Sequence, residues 1–310
     1  MKKTLLTLLL LSLTALPALA QPLSKEEYLG RWQRLTERVG VAGVGVETLI
    51  GQWAEAWPDD VQMLLARFSF YYNKSQSAKV IQLSQERYLG HAPLLPMKDS
   101  TGAVRNYFED TVFDDSLFGQ AEEAISRAIA LQPLRLDWRL VRITALTAYE
   151  KGSPDMALSE LKELVDNHFQ EHPAWIYEGL ASVGDEEFKA LMQEYCYTFF
   201  RLGTPSSAEA FKALSEELLR YCKDDPLYVN NLGSYYLVCK KEPKKALKYY
   251  NAILKKHPDD LTAIRNSILL ARSTKDKRLE KKYLPLMAKY GETEAERAGA
   301  AARLEALGRK

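Results

Sequence analysis

Residues Asn231–Pro258, NLGSYYLVCKKEPKKALKYYNAILKKHP, decide how the rest of the chain is read. Leu232, Tyr236 and Cys239 fall at i, i+4 and i+7, the spacing that sets side chains on one face of an α-helix. Glu242-Pro243 stops that helix, because proline lacks the N–H that an interior turn must donate. Ala246, Tyr250 and Ile253 then mark the inner face of a second helix, which Pro258 closes. Two such short helices cannot bury their apolar faces alone. They need neighbours of the same kind.

Asn231-Leu232-Gly233, Tyr236, Ala246, Tyr250, Ile253 and Pro258 together resemble the tetratricopeptide (TPR) motif. The sequence departs from that motif by one extra residue in the turn before Ala246. Outward from this unit, Ala121, Ala124-Ile125, Ala128-Ile129 and Pro133 read as the second helix of a repeat. Residues 137–149 follow as a first helix, with Trp138, Ile143 and Leu146 as its stripe. Gly152-Ser153-Pro154 turns the chain into a helix lined by Ala157, Leu161 and Leu164 that ends before Pro173. Residues 48–73, 137–173 and 261–290 give partial matches, and residues 185–222 read as two long helices forming a degenerate pair. Ser24 with Glu27 and Thr293 with Glu296 form capping boxes that open the first and last helices. The last helix, polar and alanine-rich, suits the terminal cap of an open array.

The resemblance implies an all-α fold, an α-solenoid of four to six TPR-like helical hairpins. One segment interrupts it. Over residues 80–107, VIQLSQ alternates, PLLPM carries two prolines and Asp99-Ser100-Thr101-Gly102 is a turn signal, so a loop or small β-hairpin insertion is expected. The expected organisation is an export signal at 1–20, N-terminal helices at 21–79, the insertion at 80–107 and helices at 108–173. A linker at 174–184 carrying Trp175 and Tyr177 then leads to C-terminal helices and a capping helix at 185–310.

With 46% hydrophobic and 27% charged residues, the composition is that of a globular protein. Lys2-Lys3, an apolar run from Leu5 to Leu13 and Ala18-Leu19-Ala20 make a cleavable signal, with cleavage expected after Ala20. That places the mature chain in a bacterial periplasm or outside the cell. The apolar run is too short to cross a bilayer and no later run is longer, so no transmembrane segment is expected. Cys196, Cys222 and Cys239 read as small buried hydrophobes, and an oxidising compartment also permits a Cys222–Cys239 bridge.

The net charge of +1 hides an asymmetry. Residues 21–222 carry 20 basic and 30 acidic side chains, whereas residues 223–289 carry 16 basic and 7 acidic. The basic segment points to an acidic protein partner or an anionic envelope surface. Its lysines at 240, 241, 244, 245, 248, 255 and 256 sit at turns and helix ends. In an exported chain they read as solvated helix faces, and no nucleic-acid partner is expected.

Catalytic patterns are few. The glycines of GVAGVGV, residues 40–46, run in the wrong order for a dinucleotide fingerprint and follow a helix, not a strand. His168-Phe169-Gln170-Glu171-His172 fits H-x-x-E-H, in which two histidines bind zinc and the glutamate is the base, but Pro173 pushes His172 out of helical geometry. We expect no enzyme, no cofactor and no resident metal. The resemblance implies a concave groove lined by first helices, and counting from Leu232 and Ser267 nominates Asn230, Ser234, Arg265, Leu269 and Arg272. The TPR clamp for terminal carboxylates needs a lysine and an asparagine at the first two such places, where this chain has Asn230 with Ser234 and Arg265 with Leu269, so the clamp is not carried over. The reading is a non-enzymatic protein–protein interaction scaffold of the cell envelope that binds a partner peptide or protein. The alternatives are a metal-dependent hydrolase using residues 168–172, or a carbohydrate-associated protein using Trp175 and Tyr177.

Overall fold

Apolar residues three and four apart recur along most of the chain, and the computed structural model, which describes residues 23–309, is correspondingly helical. The expected export signal lies outside the described residues. Thirteen α-helices are present among them. They are α1 (Lys25–Val39), α2 (Val46–Ala56), α3 (Val61–Lys74), α4 (Asp115–Leu131), α5 (Leu136–Glu150), α6 (Asp155–Glu171) and α7 (Asp185–Leu202). The remaining six are α8 (Pro205–Tyr221), α9 (Pro226–Ser234), α10 (Pro243–Lys256), α11 (Leu261–Ser273), α12 (Lys277–Tyr290) and α13 (Glu294–Gly308). Side-chain oxygens of Ser24, Asp60, Asp114, Thr204, Asp225, Asp260, Asp276 and Thr293 accept backbone N–H bonds that the first turns would otherwise leave unmade.

Packing follows chain order. Each helix lies against its sequence neighbour, except that α6 packs more extensively on α8 than on α7, which it meets through His168 and Phe188. One continuous apolar core runs from Tyr28 to Tyr235, and two smaller clusters follow around Tyr250 and Tyr283. Near the start of the core, Trp53 of α2 is fully buried and its indole N–H donates to the Asp60 carboxylate at 3.0 Å. The same carboxylate accepts from the backbone N–H of Gln62, so one side chain both caps α3 and satisfies a buried donor.

Helix α9 runs on as a π segment, Tyr235–Cys239, where the N–H of Lys240 donates to the carbonyl of Tyr235 at 3.1 Å. A π-turn holds one more residue than an α-turn. Gly233 sits one turn earlier against the Tyr250 ring, which any Cβ there would overlap. That contact, not backbone freedom, is what requires glycine.

The expected loop or two-strand hairpin at 80–107 is a three-stranded antiparallel sheet. Strands β1 (Gln76–Leu83), β2 (Leu95–Lys98) and β3 (Val104–Phe113) lie in the order β1-β3-β2. The sequence understates its length because Gln76, Ser77 and Lys79 lack a clean alternation, and these residues are held by backbone pairing to β3. The Asp99 turn joins β2 to β3. Its carboxylate accepts from the N–H groups of Thr101 and Ala103, and those bonds with the Thr101 hydroxyl hold its pKa down at about 2. Gln76 pairs with Phe113, so the chain leaves α3 and re-enters α4 at one point.

Two contacts tie the sheet to the helices. Lys151, at the end of α5, reaches both oxygens of Asp110 at 2.8 Å, and the Tyr88 hydroxyl donates to the same carboxylate at 3.0 Å. Gly90 lies against the carbonyl of Arg201 in α7 with φ of 81°, a place where a Cβ would both clash and strain the backbone.

The expected linker at 174–184 is also ordered. It holds a short hairpin, β4 (Ile176–Tyr177) and β5 (Leu180–Ala181), whose N–H at Ile176 donates to the carbonyl of Leu134. Its two-residue turn, Glu178-Gly179, has both φ angles positive, the geometry of a type I′ turn. All three cysteines are free thiols, so the Cys222–Cys239 alternative is not realised. Burial pushes the Cys196 thiol up to about 12, which leaves it an unreactive packing residue.

Candidate functional site

Helices α3, α5 and α7 and the tip of the β4–β5 hairpin line a cleft of about 510 Å³. Helix α3 contributes Phe68 and Tyr72, stacked on each other at 5.5 Å. Helix α5 contributes Asp137, Leu140, Val141 and Thr144, at i, i+3, i+4 and i+7. Helix α7 contributes Leu191, Glu194, Tyr195 and Thr198 at the same four spacings. Each helix therefore carries two stripes, one turned into the core and one into the cleft. Tyr177 and Glu178 close it from the hairpin.

The walls are firmly held. The Tyr195 hydroxyl donates to the Leu140 carbonyl at 2.9 Å and lies 3.0 Å from the Thr144 hydroxyl, which locks α7 to α5. Burial pushes the Tyr195 phenol up to about 12, so it stays neutral at any physiological pH. Arg135 forks onto Asp137 through two bonds at 2.9 and 2.6 Å, and its guanidinium covers the Trp138 ring at 4.0 Å. Every charged residue of the lining is acidic: Asp137, Glu178 and Glu194. The last two are exposed and form no ion pair among the described residues. Burial and the neighbouring Glu178 both raise the Tyr177 phenol.

The residues nominated from sequence divide between two places. Arg265, Leu269 and Arg272 line a second cleft of about 400 Å³ with Met287 and Glu296, whereas Asn230 and Ser234 do not reach it. Asn230 is buried and donates to Asp260 at 3.3 Å, and Ser234 ends α9. Both arginines are already neutralised within the fold. Arg265 pairs with Glu292 at 3.1 Å and Glu296 at 2.8 Å, and Arg272 pairs with Glu280 at 2.8 Å. Lys240 and Lys256 likewise pair with Glu209 and Asp224. Of these, only Lys240 and Arg265 pair with carboxylates outside residues 223–289, so most of the basic excess of that segment remains.

The H-x-x-E-H stretch is part of the core. His168 is 3% exposed and stacks on Phe188 at 3.8 Å. Its Nδ1 accepts from the Trp175 indole at 3.2 Å, which leaves Nε2 to donate to Asp185 at 3.1 Å. His172 takes a left-handed φ of 47° at the end of α6, and Glu171 is exposed. Both nitrogens of His168 are engaged, so the three residues form no metal site. Among the described residues no group of three or more His, Cys, Asp or Glu is disposed to hold a metal ion.

No protein-family model matches the chain, and no curated protein matches it.

Burial lowers the His168 pKa, helped by nearby His172 and opposed by Asp185. A neutral imidazole in the fold adds stability that is fully present above the ordinary value near 6.5 and is lost as pH falls through the lower folded value. Denaturant melts between pH 7.5 and 5 should therefore show an acid-side loss that His168→Gln, an uncharged replacement with donor and acceptor, flattens. Parallel pH curves for the two proteins would refute this assignment.

The cleft stripe on α5 and α7 was open to sequence reasoning. Two helices carrying the same semi-apolar spacing on a second face is the signal, and it is masked when only the core stripe is sought.

Proposed function

We propose that the chain is a non-enzymatic interaction scaffold of the cell envelope, a TPR-like α-solenoid in the periplasm or outside the cell. Its first-helix groove binds an extended segment of a partner protein. Packing in chain order supports the solenoid. The observation that carries the binding role is the matched stripe pair on α5 and α7, which turns polar-rimmed, aromatic-walled surface into one cleft of about 510 Å³. That size and lining are typical of ligand sites. Val141 is 44% exposed there, with no packing reason to be valine.

The alternatives lose ground on specific contacts. Hydrolysis at residues 168–172 needs histidine nitrogens that Trp175 and Asp185 already hold. Sugar stacking on Trp175 needs an open ring, and that ring is 1% exposed.

A photo-crosslinker placed at Val141 in cells should give a discrete adduct, and the same group at exposed Glu123 of α4 should not. Thr198→Trp, which fills the cleft from an exposed position, should abolish the adduct. Equal labelling at both positions, or persistence of the adduct in the filled variant, would overturn the groove.

A further inference from the structure

The cleft has a sign. Its charged lining is wholly acidic, Glu178 and Glu194 have no cationic partner among the described residues, and its apolar walls are rings and short aliphatic side chains. Unpaired carboxylates beside aromatic faces favour one chemistry: a cation carried on an apolar stem, which gains Coulomb attraction and ring contact together. An anionic segment would meet like charge there and an uncharged one would forgo the carboxylates.

Glu178 adds a second observation. It occupies a turn position with φ of 48°, where a residue other than Gly, Asn or Asp is uncommon and strained. Its side chain forms no ion pair among the described residues, and its polar neighbour is the Tyr177 phenol, itself part of the cleft. The cleft gains from this glutamate, because the turn is the part of the hairpin that lines it.

Resting on the groove reading above, we infer that the cleft receives an arginine or lysine side chain of an extended partner segment, flanked by apolar residues. The charge lies with Glu178 and Glu194, and the stem and its apolar neighbours lie along Phe68, Tyr72 and Val141. This surface is separate from the basic segment 223–289 and opposite to it in preference.

The test is calorimetric titration of the full chain with three capped peptides, Ac-Ala-Leu-X-Leu-Ala-NH2, where X is arginine, citrulline or glutamate. Citrulline keeps the shape and removes the charge. The arginine peptide should bind about tenfold more tightly than the citrulline peptide, the size expected of a few exposed charge contacts. Glu178→Gln with Glu194→Gln should erase that difference while leaving the melting temperature nearly unchanged, because neither carboxylate forms an ion pair among the described residues and glutamine keeps an acceptor for the Tyr177 phenol. Equal binding of all three peptides, or an unaltered preference in the double variant, would refute the cation while leaving the groove intact. Absence of saturable arginine-peptide binding would refute the cation too. The crosslink at Val141 decides the groove independently.

Discussion

Ending the chain at Gly291, so that α13 is lost, is expected to lower stability by about 3–5 kcal/mol and to increase self-association relative to the intact chain. Helix α13 supplies the buried Ala300 and Leu307 and covers Ile268, Leu284 and Met287 of the last helical pair. It also supplies Arg303, whose two bonds at 3.0 and 2.9 Å hold the Glu280 carboxylate, itself 3% exposed. Arg303 is the larger of the two influences that depress the Glu280 pKa, with Arg272 second. Without α13 a row of apolar side chains meets water at the end of the molecule, an outcome that terminal helices of stacked arrays prevent. Thermal melts and gel filtration of the shortened chain decide the matter. An unchanged melting temperature with an unchanged elution volume would show that α13 is an appendage and not a cap.

The second large effect is expected at the other end of the core. Asp60→Ala removes the cap of α3 and strands the buried Trp53 indole N–H in one step. A lost cap costs about 1 kcal/mol, and an unpaired buried donor about 1–3 kcal/mol more. The sum, roughly 2–4 kcal/mol, would be read from denaturant midpoints together with a shift in tryptophan emission. Asp60→Asn keeps one acceptor oxygen where the carboxylate offers two, enough for the cap or the indole but not both, and should lose less than Asp60→Ala. If the two variants proved equally harmful, charge and not acceptor geometry would be the dominant contribution, and the hydrogen-bond account would be wrong.

The helices were legible because burial imposes a period. Ala246, Tyr250 and Ile253 on α10 are all buried, as their spacing requires. So are Ala157, Leu161 and Leu164 on α6. The sheet was half legible, since β1 is an exposed edge strand whose residues answer to backbone pairing more than to a core. The β4–β5 hairpin was missed because four paired residues leave no pattern, and its anchor is a single backbone bond to Leu134.

The candidate site was the least legible part. Counting from the best-preserved motif led to Arg265 and Arg272, which the fold pairs with carboxylates far along the chain at Glu280, Glu292 and Glu296. Local spacing carries no trace of such distant pairing. The acidic cleft drew Glu178 from a hairpin and Glu194 from a helix, and only the folded chain brings them together.

The sheet between α3 and α4 bears on how quickly this molecule assembles. Neighbouring helices from α9 to α13 are separated by short turns, so their contacts close small loops. Helices α3 and α4 must instead find each other across some 40 intervening residues, and they are brought together only when β1 zips onto β3 from Gln76–Phe113 inward. Loops of that length and β-pairing both slow contact formation. Assembly is thus expected to begin in the C-terminal half and reach the cleft last, since Phe68 and Tyr72 lie on α3. Pulse-labelled hydrogen exchange would register protection in α9–α12 ahead of α3 and α4, and the reverse order would rule this sequence of events out. Binding competence would then be the final property the chain acquires as it folds.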